Sequence, residues 1–166
     1  MLIIVSPSQT KPTKIYIYND GFMYYTPKPF KKGSLDPEEN VTTGYIDRQV
    51  YVDNPLTIQE FLMTLPPGAA NVLWKNIIEL FKRLGEAYTN MFASKNAELP
   101  GTKFLIFGCD IAPADDYSVK IMEVNKGPDL SYKDERDGNL KKALVQEMLI
   151  LAGIVAGVAT NFLAIT

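Results

Sequence analysis

The stretch Lys103–Leu130, KFLIFGCDIAPADDYSVKIMEVNKGPDL, decides how the chain reads. It holds two apolar runs, and each stops at a carboxylate. The first ends at Asp110; the second carries Glu123 and then Asn125. Between them, Ala112-Pro113-Ala114-Asp115-Asp116 reads as a turn, because proline presets φ and aspartate side chains bond their own backbone. Two β-forming runs joined by a short polar loop predict an antiparallel hairpin. Alternate side chains of a strand share a face, so Glu123 and Asn125 point the same way. Pairing across the turn brings Asp110 opposite that end of the second strand. Two carboxylates and one amide then converge on one patch, which is hard-cation chemistry. Mg²⁺ takes one or two carboxylates together with waters and substrate phosphates. Without a cation, two carboxylates this close resist joint ionisation. Taken alone, the trio also reads as solvated charges at strand ends.

Composition narrows the chemistry. The 166 residues are 46% hydrophobic and 22% charged, which predicts one globular unit over residues 1–166 with a buried core. A net charge of −2 gives no footprint for nucleic acid. The one cysteine, Cys109, makes no disulfide framework and points to a reducing, cytoplasmic compartment. Histidine is absent, which excludes a histidine triad, histidine-ligated zinc or a histidine base within this chain. Catalysis here would run on carboxylates, lysine, arginine and a bound metal.

Working outward, Met1-Leu2-Ile3-Ile4-Val5 is too short for a signal peptide and reads as an opening strand. Ile15–Tyr18 is a second strand. Asn19-Asp20-Gly21 is a hairpin-turn signal, which predicts a returning strand over Phe22–Thr26. Residues 27–40 read as a loop whose Lys28, Lys31 and Lys32 are either plain surface charge or a basic patch for an acidic partner. Thr57 and Glu60 form a capping-box signature for a short helix. A longer helix is predicted over Ala69–Ala93, its apolar stripe including Val72, Leu73, Ile77, Phe81 and Tyr88, with Gly85 as a weak point.

After the hairpin, Lys126-Gly127-Pro128 is a sharp turn. Glycine there lets backbone amides approach a phosphate, and Lys126 adds a point charge. A charged loop, Lys133–Asp137, precedes a helix expected from Asn139, with Lys141, Lys142 and Glu147 facing out. Residues 148–166 carry no charge, a borderline length for a membrane span, with a small-residue Gly153/Gly157 spacing. The amphipathic start and the polar Thr160 and Asn161 argue against insertion. They favour a helix ending near Gly153, then a buried strand or a second helix.

Gly108-Cys109-Asp110, followed thirteen residues later by Glu123-Val124-Asn125-Lys126-Gly127-Pro128, resembles the tubulin-tyrosine-ligase-like family, a branch of the ATP-grasp ligases. That family's pattern is a strand ending in G-x-D, a short loop, and a strand ending in E-V-N followed by small residues and proline. Lys14–Gly21 is similar to the family's strand-turn phrase. Asn40-Val41-Thr42-Thr43 sits where the family has His-Leu-Thr-Asn and keeps the threonine, at Thr42.

The resemblance implies an α+β fold, the second subdomain of an ATP-grasp unit, with a mainly antiparallel sheet packed against helices. It implies ATP and magnesium as cofactors, with Asp110, Glu123 and Asn125 on the metal and Lys126, Thr42 and Thr43 near the nucleotide. It implies a ligase that joins a free amino acid to a carboxylate of an acidic, tubulin-like protein through an acyl phosphate. No lysine strand with a glycine-rich loop precedes residue 100, so the nucleotide-covering half is expected to lie outside this chain. A non-catalytic, protein-binding derivative of the same scaffold is the other reading.

Overall fold

Ile3, Ile4 and Val5 are consecutive and all buried, so β1 (Leu2–Ser6) is covered on both faces and must run through the middle of a sheet. The computed structural model, which describes residues 1–6, 12–42, 48–96 and 101–166, places it there. The five-stranded sheet is ordered β4-β3-β1-β2-β5, where β2 is Lys14–Tyr18, β3 Lys103–Pro113, β4 Val119–Lys126 and β5 Phe162–Ala164. Every pairing is antiparallel.

The helices are α1 (Pro37–Asn40), α2 (Val50–Asp53), α3 (Ile58–Thr64), α4 (Ala69–Asn96) and α5 (Glu135–Leu151). The chain divides into two compact units, Met1–Asn19 with Asn71–Thr166, and Asp20–Ala70.

The larger unit is a sheet between two helices. One face presents Ile3, Val5, Phe104 and Ile106, which pack with Val145, Met148 and Leu149 of α5. The other face carries Ile15 and Phe107 and receives α4. The Tyr88 ring lies 4.8 Å from that of Phe107. A side chain at Gly85 would stand 2.7 Å from Ile15 Cγ2. Gly85 therefore lets helix and sheet approach. Its cost to helix propensity is offset by that contact.

Several sequence expectations change. No hairpin follows β2: Asp20 Oδ1 instead accepts from the Gly21 and Gln59 amides, and Phe22 makes only an isolated bridge with Thr57. The asparagine-aspartate turn chemistry is used on the backbone at the start of α3 rather than to reverse a strand. Ala112 and Pro113 extend β3, and the reversal falls at Ala114–Ser118 with Tyr117 at φ 63°. Val72 is exposed.

The helix α5 begins at Glu135, four residues early, because Asp134 caps it by accepting from the Asp137 amide. Lys141 is buried rather than outward. Glu147 is half-buried and accepts from the Asn161 amide and side chain. The uncharged tail leaves α5 at Leu151, turns, and returns as β5 beside β2. Among the described residues, no helix is long and apolar enough to cross a membrane.

In the smaller unit, α3 carries the expected capping box: Thr57 accepts from the Glu60 amide and the Glu60 carboxylate accepts from the Thr57 amide. Tyr51 and Tyr25 hydroxyls donate to the Met23 and Pro55 carbonyls, at 2.6 and 2.9 Å. Lys28, one of the three lysines of the basic loop, pairs with Asp36 and Glu38.

Candidate functional site

Near the turn, the β3–β4 ladder pairs Ile111 with Ile121. Carried on unbroken, that register would set Glu123 opposite Cys109. A one-residue offset turns side chains to the other face, so Glu123 would point away from Asp110. The register instead shifts between Asp110 and Ile111, and Met122 is left without a partner. This is a β-bulge, a device that re-aims side chains. Beyond it, Asp110 lies directly opposite Glu123, and Gly108 opposite Asn125. Directly opposed Cβ atoms sit about 5 Å apart, within reach of a shared ion. Alternation then places Asp110, Glu123 and Asn125 on one face.

The electrostatics agree with two crowded carboxylates. The Asp110 carboxyl is pushed above its ordinary range, first by partial burial and then by the Glu123 charge. Both side chains nevertheless face solvent. Two carboxylates and an amide fit a hard cation that completes its shell with water or phosphate oxygens. Among the described residues, no cluster of three or more acidic, cysteine or histidine side chains forms a self-sufficient cage. Cys109, between Gly108 and Asp110, has its thiol pushed up to about 11 chiefly by burial, which leaves it a weak nucleophile.

The chain leaves this face through a tight turn. Gly127 has φ 80°, and Pro128 folds back so that its Cβ lies 2.8 Å from where a Gly108 side chain would begin. Gly108 is therefore needed for close approach. The Gly-x-Asp phrase in the sequence carried that signal, whereas nothing in it marked Met122.

The remaining sequence candidates are placed as follows. Lys126 pairs with Phe107, so alternation turns it to the face opposite Asn125. Thr42 is exposed just past α1, in the other unit. Thr43 lies outside the described residues.

Known proteins resemble this chain in fold and in sequence. The solved C-terminal domain of K. lactis Pby1, described as an ATP-grasp enzyme interacting with the mRNA decapping enzyme Dcp2, superposes with a TM-score of 0.57 at 16% identity. The match covers 99% of this chain and 46% of that one, and it shows an ATP-grasp fold. "Tubulin polyglutamylase ttll-4" of Caenorhabditis briggsae is 25% identical over 163 residues, covering 87% of this chain. The chain spans about a quarter of that curated relative's length (27%). Residues 3–160, nearly the whole sequence, match the tubulin-tyrosine ligase family. An antiparallel sheet between helices, the Gly-x-Asp and Glu-Val-Asn strands in register, and that match together establish that the chain belongs to the tubulin-tyrosine ligase family.

Proposed function

We propose that this chain carries the metal–nucleotide face of an ATP-dependent carboxylate–amine ligase. The reaction joins a free amino acid to a carboxylate of an acidic protein, through an acyl phosphate. The observation that carries the reading is the direct opposition of Asp110 and Glu123, with Asn125 on the same face. Asp110, Glu123 and Asn125 would hold magnesium. When bound, magnesium neutralises the charge on the ATP phosphates.

The chain's own groups supply anchoring and orientation. A cation held by Asp110 and Glu123 would relieve their mutual repulsion, and Asn125 would offer it a neutral oxygen without a third negative charge. The polyglutamylase relative favours an acidic acceptor of tubulin-like chemistry. Calorimetry of ATP against the purified chain, with and without magnesium, tests the proposal. Magnesium-dependent binding that disappears in Glu123→Gln is the expected result. Tight binding that ignores magnesium contradicts it.

The second reading is a non-catalytic protein-binding domain on the same scaffold. It is favoured by Asn40-Val41-Thr42-Thr43, which retains one residue of the family's four-residue motif. Release of ADP in the presence of an amino acid and an acidic peptide separates the two.

A further inference from the structure

We propose that the buried Asp137–Lys141 pair is a positioning device for the acidic face, an inference that rests on the metal–nucleotide reading above. The two residues sit one turn apart on α5 and are 2% and 9% exposed. Lys141 Nζ lies 3.1 Å from Asp137 Oδ1 and 3.2 Å from Oδ2. Burying such a pair is weak support for stability in itself, since well-packed apolar side chains serve as well or better. What apolar side chains cannot supply is the pair's further bonding. Lys141 donates to the Ser131 carbonyl at 2.5 Å, and Asp137 Oδ2 accepts from the Lys133 amide at 2.7 Å.

Both of those backbone groups belong to the segment leaving β4, not to α5. Tyr132, between them, lies 3.3 Å from where a Gly138 side chain would begin, so the segment is held close along the first turns of α5. At its other end the same segment sets Pro128 against Gly108, directly across the ladder from Asn125. Asn125 is the last residue but one of β4, and Ser131 is tied down six residues later. The pair thus fixes the exit path of the strand bearing Glu123 and Asn125. The pair touches none of the three residues itself and acts on them through the backbone of the exit segment.

The test uses the whole chain, with Mn²⁺·ATP as an electron paramagnetic resonance probe and amide hydrogen exchange as a ligand-free readout. Lys141→Met removes the donor. Asp137→Asn/Lys141→Met removes both charges and covers the case in which the single variant does not fold. Glu147→Gln, which loosens the Asn161 contact at the other end of α5, is the control for general destabilisation. The expected result is faster exchange across residues 127–133 and Mn²⁺·ATP binding weakened about tenfold in the pair variants, with binding unchanged in Glu147→Gln.

Wild-type binding with equal affinity in the pair variants overturns the positioning role, as does a loss matched by Glu147→Gln. A wild-type chain that binds no Mn²⁺·ATP overturns the metal–nucleotide reading and this role together. That result differs from the first because the wild type itself fails.

Discussion

Glu123 stands directly across the ladder from Asp110, and the unpaired Met122 is what puts it there. The turn at Ala114–Ser118 sets one register and the Asp110 end of the hairpin uses another. Thirteen residues separate the carboxylates in sequence, and that interval alone is silent about which face each occupies. The bulge converts an interval into a site.

Deletions should reveal this offset. Removing Met122 closes the bulge and lets the turn-side register run through, so Asp110 still faces Glu123 and Asn125 still faces Gly108. Removing Val124 instead shifts Asn125 opposite Cys109 and turns it to the other face. We expect magnesium-dependent ATP binding to survive the first deletion and to be lost in the second. Calorimetry on the two proteins, with circular dichroism to confirm folding, decides the point.

Asp110→Asn should stabilise the metal-free protein at neutral pH while abolishing magnesium binding. The Asp110 carboxyl is raised, so the folded state disfavours its ionised form. Its contribution to stability is present below the ordinary carboxylate pKa and is lost as pH rises through the raised value. The variant's advantage therefore vanishes in acid and opens as pH rises through the carboxylate range. Like charges directly opposite on a sheet cost up to about 1 kcal/mol, and solvent screening at this exposed site keeps the gain at or below that. Urea melts at several pH values measure it. Saturating magnesium should erase the difference by stabilising the wild type alone.

The hairpin, the opening strand, the capped α3 and the long α4 were legible because each depends on local spacing and local chemistry. Glu60 three residues after Thr57 is one such signal, and alternation beyond Val119 is another. What escaped depends on distant partners. Asp20 carries a turn signature, yet its carboxylate serves Gln59, 39 residues away. Lys141 sits among charged residues and reads as solvent-facing, yet the Ser131 carbonyl and the Asp137 carboxylate satisfy it in a buried setting. Lys28 reads as free positive charge, whereas Asp36 and Glu38 consume it. The trio's residue types were visible in sequence; their common face required the bulge.

Gly85→Ala should destabilise the protein even though alanine is the better helix former. In an exposed helix the exchange gains up to about 1 kcal/mol. Here the new Cβ would lie 2.7 and 2.8 Å from Ile15 Cγ2 and Cδ1, on a side chain that is 1% exposed and stiff at χ1. Overpacking of this kind costs about 1–3 kcal/mol, enough to reverse the sign. A double-mutant cycle with Ile15→Ala, followed by chemical denaturation, should show that Gly85→Ala is far less harmful once the isoleucine is gone. Additive losses would place the strain elsewhere.

Gly108→Ala probes the contact nearest the proposed metal. The added methyl would meet Pro128 Cβ at 2.8 Å, and Pro128 is held in a turn whose Gly127 has a positive φ. The proline ring cannot rotate away, so either β3 or the exit segment must move. A loss of about 1–3 kcal/mol is expected on overpacking grounds. Because Asn125 sits opposite Gly108, magnesium-dependent ATP binding should weaken as well. Pro128→Gly in the same chain removes the opposing Cβ and should restore binding more fully than stability, since a second glycine beside Gly127 enlarges the conformational freedom of the unfolded chain. Cys109→Ala, whose side chain lies on the opposite face by alternation, should leave binding unchanged. If Gly108→Ala binds as the wild type does, the close approach of Pro128 has no bearing on the acidic face, and the exit segment acts on stability alone.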